Sequence, residues 1–231
     1  MKKLISISLF LCLTWVSVTL CSCSSDGYDT GDGKYSYLKS EFVEVHTSSP
    51  TIIDRALTDD GMLLHLLPTL TASWAKEGNS NYRALLNYKA NSDNTEAKSA
   101  TVEPVSVSQV LLLTAKEPAD ITDTATDPLG IESAWVSKNG KYINLRLGLK
   151  AGQPDQEDTK QTIGLMHIDT QTDAQEHQTV TLQLLHNQNG VPEYYTVSTF
   201  VSIPLENYDN GTTIVLNINT YQGAVQKTFK K

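Results

Sequence analysis

Beyond an apolar N-terminal run and a short acidic stretch, apolar residues recur mostly at every second position, the spacing of a strand with one buried face, and not at every third and fourth. The clearest case is KYINLRLGLK, where Ile143, Leu145, Leu147 and Leu149 point one way and Tyr142, Asn144, Arg146 and Gly148 the other. Lys138-Asn139-Gly140-Lys141 just before it holds an Asn-Gly pair, which tolerates positive φ, so the pattern predicts a hairpin whose first strand includes Trp135. TVTLQLLHNQNG repeats the alternation with Val180, Leu182, Leu184 and His186 on one face, until Asn187 to Gly190 turn the chain. EYYTVSTFVSIPL aligns Tyr195, Val197, Thr199, Val201 and Ile203, and Pro204 ends that run or confines it to an edge. After Asp209-Asn210-Gly211, the stretch TTIVLNINTYQG sets Ile214, Leu216 and Ile218 inward. Strands of this kind, joined by turns with no helix signal between them, predict an antiparallel β-sandwich.

The preceding half is less regular but still β. Residues 35–45 form one expected strand, TIIDRALTDDGMLLHLLP a hairpin turning at Asp59-Asp60-Gly61, YRALLNYK a fourth strand and VEPVSVSQVLLL a fifth. Five strands in about eighty residues match a small barrel such as the OB-fold. A short helix is expected only around Ser73 to Glu77. KEPADITDTATDP, with two prolines and four acids, marks a linker between the halves. The expected class is all-β: a small OB-like barrel over 34–116, a linker over 117–128 and an antiparallel β-sandwich over 129–231.

The N-terminus changes the picture from fold to address. Lys2 and Lys3 precede an apolar run from Leu4 to Leu20, and small residues then surround cysteine, as in an export signal. At ~1.5 Å per residue the run reaches roughly 25 Å, short of a hydrocarbon core, so a permanent span is the weaker reading. Leu20-Cys21-Ser22-Cys23 fits the bacterial lipoprotein pattern of leucine, a spacer and a small residue before the acylated cysteine, whereas Leu20 immediately before Cys21 does not suit cleavage there. Residues 1–22 are therefore expected to be a lipoprotein signal peptide, with Cys23 lipidated, and ordinary cleavage near Ser22 is the alternative. Residues 23–33 contain Asp26, Asp29 and Asp32 among Ser, Gly and Thr and read as an acidic tether. Their i, i+3, i+6 spacing does not suit an EF-hand, which takes acids at i, i+2 and i+4.

Cys12, Cys21 and Cys23 are the only cysteines, so a chain matured at Cys23 would have no disulfide, cysteine nucleophile or thiolate metal site in its folded part. Loss of Lys2 and Lys3 with the leader would take the formal charge from −8 to −10, and neither half carries a basic stripe, so no nucleic-acid partner is expected.

Taken together, the lipobox Leu20-Cys21-Ser22-Cys23 with its acidic follow-on, the DDGMLLHLLP hairpin, YRALLNYK, the strand closing in LLLTAK, and then DPLGIESAW, KYINLRLGL and LQLLHNQNG resemble the NigD-like lipoproteins of Bacteroidetes. The loop KAGQPDQEDTKQT and the short first hairpin depart from that family pattern. The resemblance implies an N-terminal OB-like domain followed by a C-terminal β-sandwich. It carries no catalytic residue with it, and the family's link to a bacteriocin operon raises self-protection as one role. Acidic residues just after the lipidated cysteine resemble the surface-export signal of Bacteroidetes lipoproteins, which implies an outer-membrane protein facing the cell exterior, with a periplasm-facing anchor as second choice.

No chemical constellation stands out. The histidines His46, His65, His167, His177 and His186 lie in separate segments, and there is no G-x-S-x-G or glycine-rich phosphate loop. His177 sits near Asp169, Asp173 and Glu176, which could hold a cation, but a solvated polar loop is the plainer reading. His186 is expected to fix the following turn by hydrogen bonding. Trp135, beside a hairpin, is expected in the core or between the sheets, whereas Trp74 in a polar loop is the candidate for exposed ligand contact. Of Tyr194 and Tyr195, which face opposite ways in a strand, one is expected to be exposed. Neither a metal nor a cofactor is expected. The resulting expectation is a non-enzymatic envelope protein held to the membrane through Cys23 and binding or scaffolding a protein or glycan partner. A hydrolase of envelope polysaccharide and a bacteriocin self-protection protein are the alternatives.

Overall fold

The computed structural model describes residues 38–89, 98–153 and 159–231. The signal peptide, Cys23 and the acidic tether lie outside the described residues.

Strands β1 (Leu38–Ser49), β2 (Ile52–Thr58), β3 (Leu63–Thr71), β4 (Asn81–Lys89) and β5 (Ser99–Gln109) close into a barrel in the order β1-β2-β3-β5-β4. β3 and β5 run parallel, with Leu63 opposite Ser99. This is the Greek-key arrangement of an OB-like barrel. Its interior is filled by Val43, Val45, Ile53, Ala56, Leu64, Leu86 and Tyr88, each at the inward position of its strand. The β2–β3 turn falls at Asp59-Asp60-Gly61, where Gly61 takes φ +86°, open to glycine without a Cβ penalty.

The second half holds β6 (Leu111–Leu112), β7 (Gly130–Val136), β8 (Tyr142–Ala151), β9 (Thr162–Thr172), β10 (Gln178–Asn187), β11 (Tyr195–Pro204), β12 (Thr213–Thr220) and β13 (Gly223–Lys230). They form two four-stranded sheets, β13-β12-β10-β9 and β6-β11-β8-β7. Ile143, Leu145 and Leu147 from one sheet meet Leu182, Leu184, Ile214 and Leu216 from the other in a common core. The Asn-Gly turn is as the alternation requires, with Gly140 at φ +69°. Most pairings are antiparallel, but β10 and β12 run parallel because the chain crosses to the other sheet as β11 before returning. β11 is buried only in its C-terminal half, at Val201, Ser202 and Ile203.

Three expectations need correction. The expected fifth strand VEPVSVSQVLLL does not stay in the barrel to its end: β5 stops at Gln109, Leu111 and Leu112 pair with Val201 and Ser202 of β11, and Leu113 joins the sandwich core. An aliphatic run would satisfy either core, and the unfilled edge beside β11 takes it, so the barrel ends at β5 and not at residue 116. Residues 117–128 do not hang as a free linker either. They lie along the sandwich as a strap, bridged to it on both sides by Lys116 with Met166 and Thr126 with His186. Finally, residues 73–77 form no helix; Ser73 and Trp74 make a turn. Residues 39–231 cluster as one compact unit despite the two cores.

Candidate functional site

The junction between barrel and sandwich is built around one buried cation. In β4 the alternation sends Ala84, Leu86 and Tyr88 into the barrel, which turns Arg83 outward onto the outer face of the β6-β11-β8-β7 sheet. Its side chain is 0% exposed. Nη1 and Nη2 donate to the two carboxylate oxygens of Asp59 at 2.6 and 2.7 Å, a bidentate pairing that fixes the guanidinium plane. Nη2 also donates to Asn144 Oδ1 at 3.2 Å, and that oxygen accepts from the Ser202 hydroxyl at 2.7 Å. The guanidinium carbon lies 4.1 Å from the ring centre of Tyr142 and 5.2 Å from that of Phe42, so the rings enclose the cation that Asp59 neutralises. Arg83 Nε and Asn144 Nδ2 are left without hydrogen-bond partners. The Tyr142 hydroxyl donates to Glu44 at 3.1 Å; burial first, then the Glu44 charge, pushes its pKa up to about 12, so it stays a donor.

Beside this anchor a cleft of about 280 Å³ opens between β1, the β2–β3 turn and the β7–β8 hairpin. Trp135 and Phe42 line it together with Glu41, Asp59, Asp60 and Lys138. Trp135 is 37% exposed and meets Phe42 edge to face at 5.6 Å; Phe42 meets Phe200 the same way at 5.3 Å. Each carboxylate has an internal donor. Tyr88 donates to Glu41 Oε2 at 2.6 Å, and burial followed by that contact raises the tyrosine's own pKa. Asp60 accepts from the Thr58 hydroxyl and lies 3.5 Å from Lys138, which together hold its carboxyl below the usual range.

A larger cleft, about 510 Å³, lies where the edges of β6 and β9 face each other, and its walls mix aliphatic side chains such as Leu111, Ile121 and Leu165 with polar ones such as Asp120, Asp123 and Asn187. The strap crosses it. Lys116 N donates to Leu165 O at 3.0 Å, and His186 N to Ala125 O at 3.0 Å. The His186 ring, 1% exposed, donates from Nδ1 to the Asp127 carbonyl at 3.1 Å, while Nε2 lies 3.0 Å from Gln161 Oε1. Gln161 Nε2 donates to Lys150 O at 2.5 Å, which orients that amide.

These positions redistribute the sequence candidates. Trp74 is half-buried against the barrel core, edge to face with Tyr82 at 5.8 Å. Trp135, expected in the core, is the more exposed ring. His177 contacts Asp173 at 3.2 Å, but Asp173 also accepts the backbone N–H groups of Gln175 and His177, which makes it the cap of a turn. Those bonds, led by the His177 N–H, lower the Asp173 pKa. Among the described residues no group of three His, Cys, Asp or Glu side chains could hold a metal. Tyr194 and Tyr195 are both exposed. Arg83, Asp59, Phe42 and Glu41 were not singled out by the sequence. An arginine within the otherwise apolar core of YRALLNYK is the one local sign of them.

Comparison with known proteins agrees with the architecture. The structure is similar to a NigD-like immunity protein from Bacteroides caccae (TM-score 0.63, 22% identity, 83% of this chain and 96% of that one). It is also similar to a candidate toxin-related protein from Parabacteroides distasonis (TM-score 0.61, 20% identity, 84% and 93%). A third similar structure is a candidate lipoprotein from Bacteroides fragilis (TM-score 0.54, 13% identity, 84% and 96%). At such identities the shared property is the fold. No functionally curated protein matches the chain. The profile of the NigD-like C-terminal beta sandwich domain matches residues 112–230, starting within β6 where the sandwich itself starts. With more than half its length matched, the chain belongs to the NigD-like family.

Proposed function

We propose that this is a lipid-anchored envelope protein that binds a partner at the junction cleft and does not catalyse a reaction on it. The observation that carries this reading is the state of the cleft's carboxylates: Glu41, Asp59 and Asp60 are each held by an internal donor beside ordered rings. Such groups are prepared to accept hydrogen bonds. A glycosidase acid needs a raised pKa, and Asp60 is shifted the other way. The anchor is the lipid on Cys23, with the acidic tether placing the folded part at the outer face of the outer membrane; a periplasm-facing anchor is the second choice.

Full-length protein, acylated in its native envelope and crosslinked in place, is expected to capture a protein or glycan partner in a Trp135-dependent manner and to show no turnover against a panel of polysaccharide substrates. Turnover abolished by Asp60→Asn or Glu41→Gln would overturn it. Palmitate labelling is expected to vanish in Cys23→Ser and persist in Cys21→Ser, and the reverse would remove the anchor from the reading.

The name of the Bacteroides caccae protein favours a second reading, in which the partner is a toxin and the anchored chain protects its own cell. Deletion would then raise sensitivity to a bacteriocin, and unchanged sensitivity would dismiss it.

A further inference from the structure

We propose that the junction cleft is a subsite for one uncharged sugar ring of a glycan, packed on Trp135 and hydrogen-bonded by Asp60, Glu41 and Lys138. This rests on the partner-binding reading above and names its ligand class. Sugar recognition needs a flat apolar surface for the C–H face of the ring and, at its rim, acceptors and donors for hydroxyls. Trp135 supplies the surface. Its contact with Phe42, itself set against Phe200, holds the ring in place before ligand arrives, so little ordering cost falls on binding.

The rim supplies the rest. Tyr88 occupies Glu41 Oε2 and leaves Oε1 to accept a hydroxyl. Asp60, 45% exposed at its side chain, stays ionised and keeps lone pairs beyond the Thr58 contact. Lys138, 77% exposed, has ammonium protons to donate.

Charge selects among ligands. Arg83 already neutralises Asp59 and Lys138 faces Asp60, while Glu41 is held only by the neutral Tyr88 hydroxyl, so the cleft keeps one net negative charge and disfavours an anionic ligand. The chain as a whole, at −8, repels polyanions. A neutral polyol meets both conditions. The larger cleft between β6 and β9 has mixed aliphatic and polar walls but no Trp, Tyr or Phe ring, so it lacks the flat surface a sugar requires.

The test uses detergent-solubilised full-length protein titrated with neutral oligosaccharides of glucose, mannose, xylose and N-acetylglucosamine, followed by saturation-transfer NMR, with polygalacturonate as the anionic control. At least one neutral series is expected to bind. Trp135→Leu, which keeps apolar bulk against Phe42, is expected to weaken binding about tenfold or more, as loss of an aromatic anchor does. Asp60→Asn is expected to weaken it severalfold with only a small drop in melting temperature, and Tyr194→Ser to leave it unchanged. No neutral oligosaccharide bound, affinity retained in both Trp135→Leu and Asp60→Asn, or preference for polygalacturonate would each overturn the assignment. If sugars fail while partner capture in the envelope still depends on Trp135, the glycan class falls and partner binding at the cleft stands. If capture is also indifferent to Trp135, both fall.

Discussion

Two places in this molecule join parts of the chain that belong to different structures, and they do so with different chemistry. At the junction, the barrel meets the sandwich through a fully buried guanidinium held by Asp59, Asn144 and two aromatic rings. At the open side of the sandwich, the strap meets β10 and β12 through backbone pairing and through the side chains of His186, Asn187 and Asn219. The first anchor is ionic and geometrically demanding: a forked cation fits one arrangement of carboxylate and amide. The second is a ladder of ordinary hydrogen bonds in which each rung is replaceable. A buried ion without its partner cannot be tolerated, while an unmet carbonyl near the surface can recruit water. The junction should therefore break as a unit, and the strap should loosen locally.

The largest effect is expected at Arg83. Arg83→Met removes the cation and leaves the Asp59 carboxylate, 15% exposed, against apolar rings. Breaking such a pair typically costs about 3–5 kcal/mol, which should appear as a lower urea midpoint at unchanged slope. Adding Asp59→Asn to Arg83→Met removes the orphaned charge, so the double variant should be more stable than Arg83→Met alone. Equal or lower stability in the double variant would show that packing on Tyr142 and Phe42, and not charge pairing, is what the guanidinium contributes.

Arg83 also shows how far the sequence could be read. Strand positions and inward faces in the second half followed from the period of two, so the sandwich core was legible: Ile143, Leu145, Leu147, Leu182, Ile214 and Leu216 all lie where alternation put them. What alternation cannot tell is what covers the outward face. Asn144 was read as outward in KYINLRLGLK, and it is outward, yet it is 0% exposed because the barrel packs on that face. The same blindness exchanged the two tryptophans. Polar neighbours in sequence made Trp74 look exposed, but its segment folds back on the barrel core, and Trp135 sits at a rim created only when two domains meet. The parallel β10–β12 pairing and the two-residue β6 were equally hidden, since strand partners are chosen by tertiary closure and not by local pattern.

On the strap side a smaller and more local effect is expected. His186→Leu deprives the Asp127 carbonyl of its donor and removes the contact to Gln161. An unsatisfied buried acceptor costs about 1–3 kcal/mol, and the adjacent cleft admits water, so the low end applies. Hydrogen exchange should quicken at the amides of Asp127 and His186, which pair the strap with β10, while amides of the barrel stay protected. Acceleration spread evenly over barrel and sandwich would mean that the strap is as integral to the unit as the junction, and the contrast between them would disappear.

The smallest effect tests whether burial is the variable that separates the two kinds of anchor. Asp59 and Asp60 are consecutive in one turn and each faces a cation, Arg83 at 2.6 Å and Lys138 at 3.5 Å. The chemistry is alike and the sequence gives no reason to rank them. The surroundings differ: the Arg83 side chain is 0% exposed, whereas those of Lys138 and Asp60 are 77% and 45% exposed. Water already solvates the outer pair, salt screens it, and holding a long lysine in place costs rotamer entropy, so its net contribution lies near zero. Lys138→Ala is expected to change stability by about 0.5 kcal/mol or less, and 0.5 M salt should not alter the penalty of Arg83→Met. If Lys138→Ala instead costs as much as Arg83→Met, charge pairing across the junction would matter irrespective of burial. The aromatic enclosure would then be incidental to the joint, and the cleft beside it would owe its shape to the surface ions.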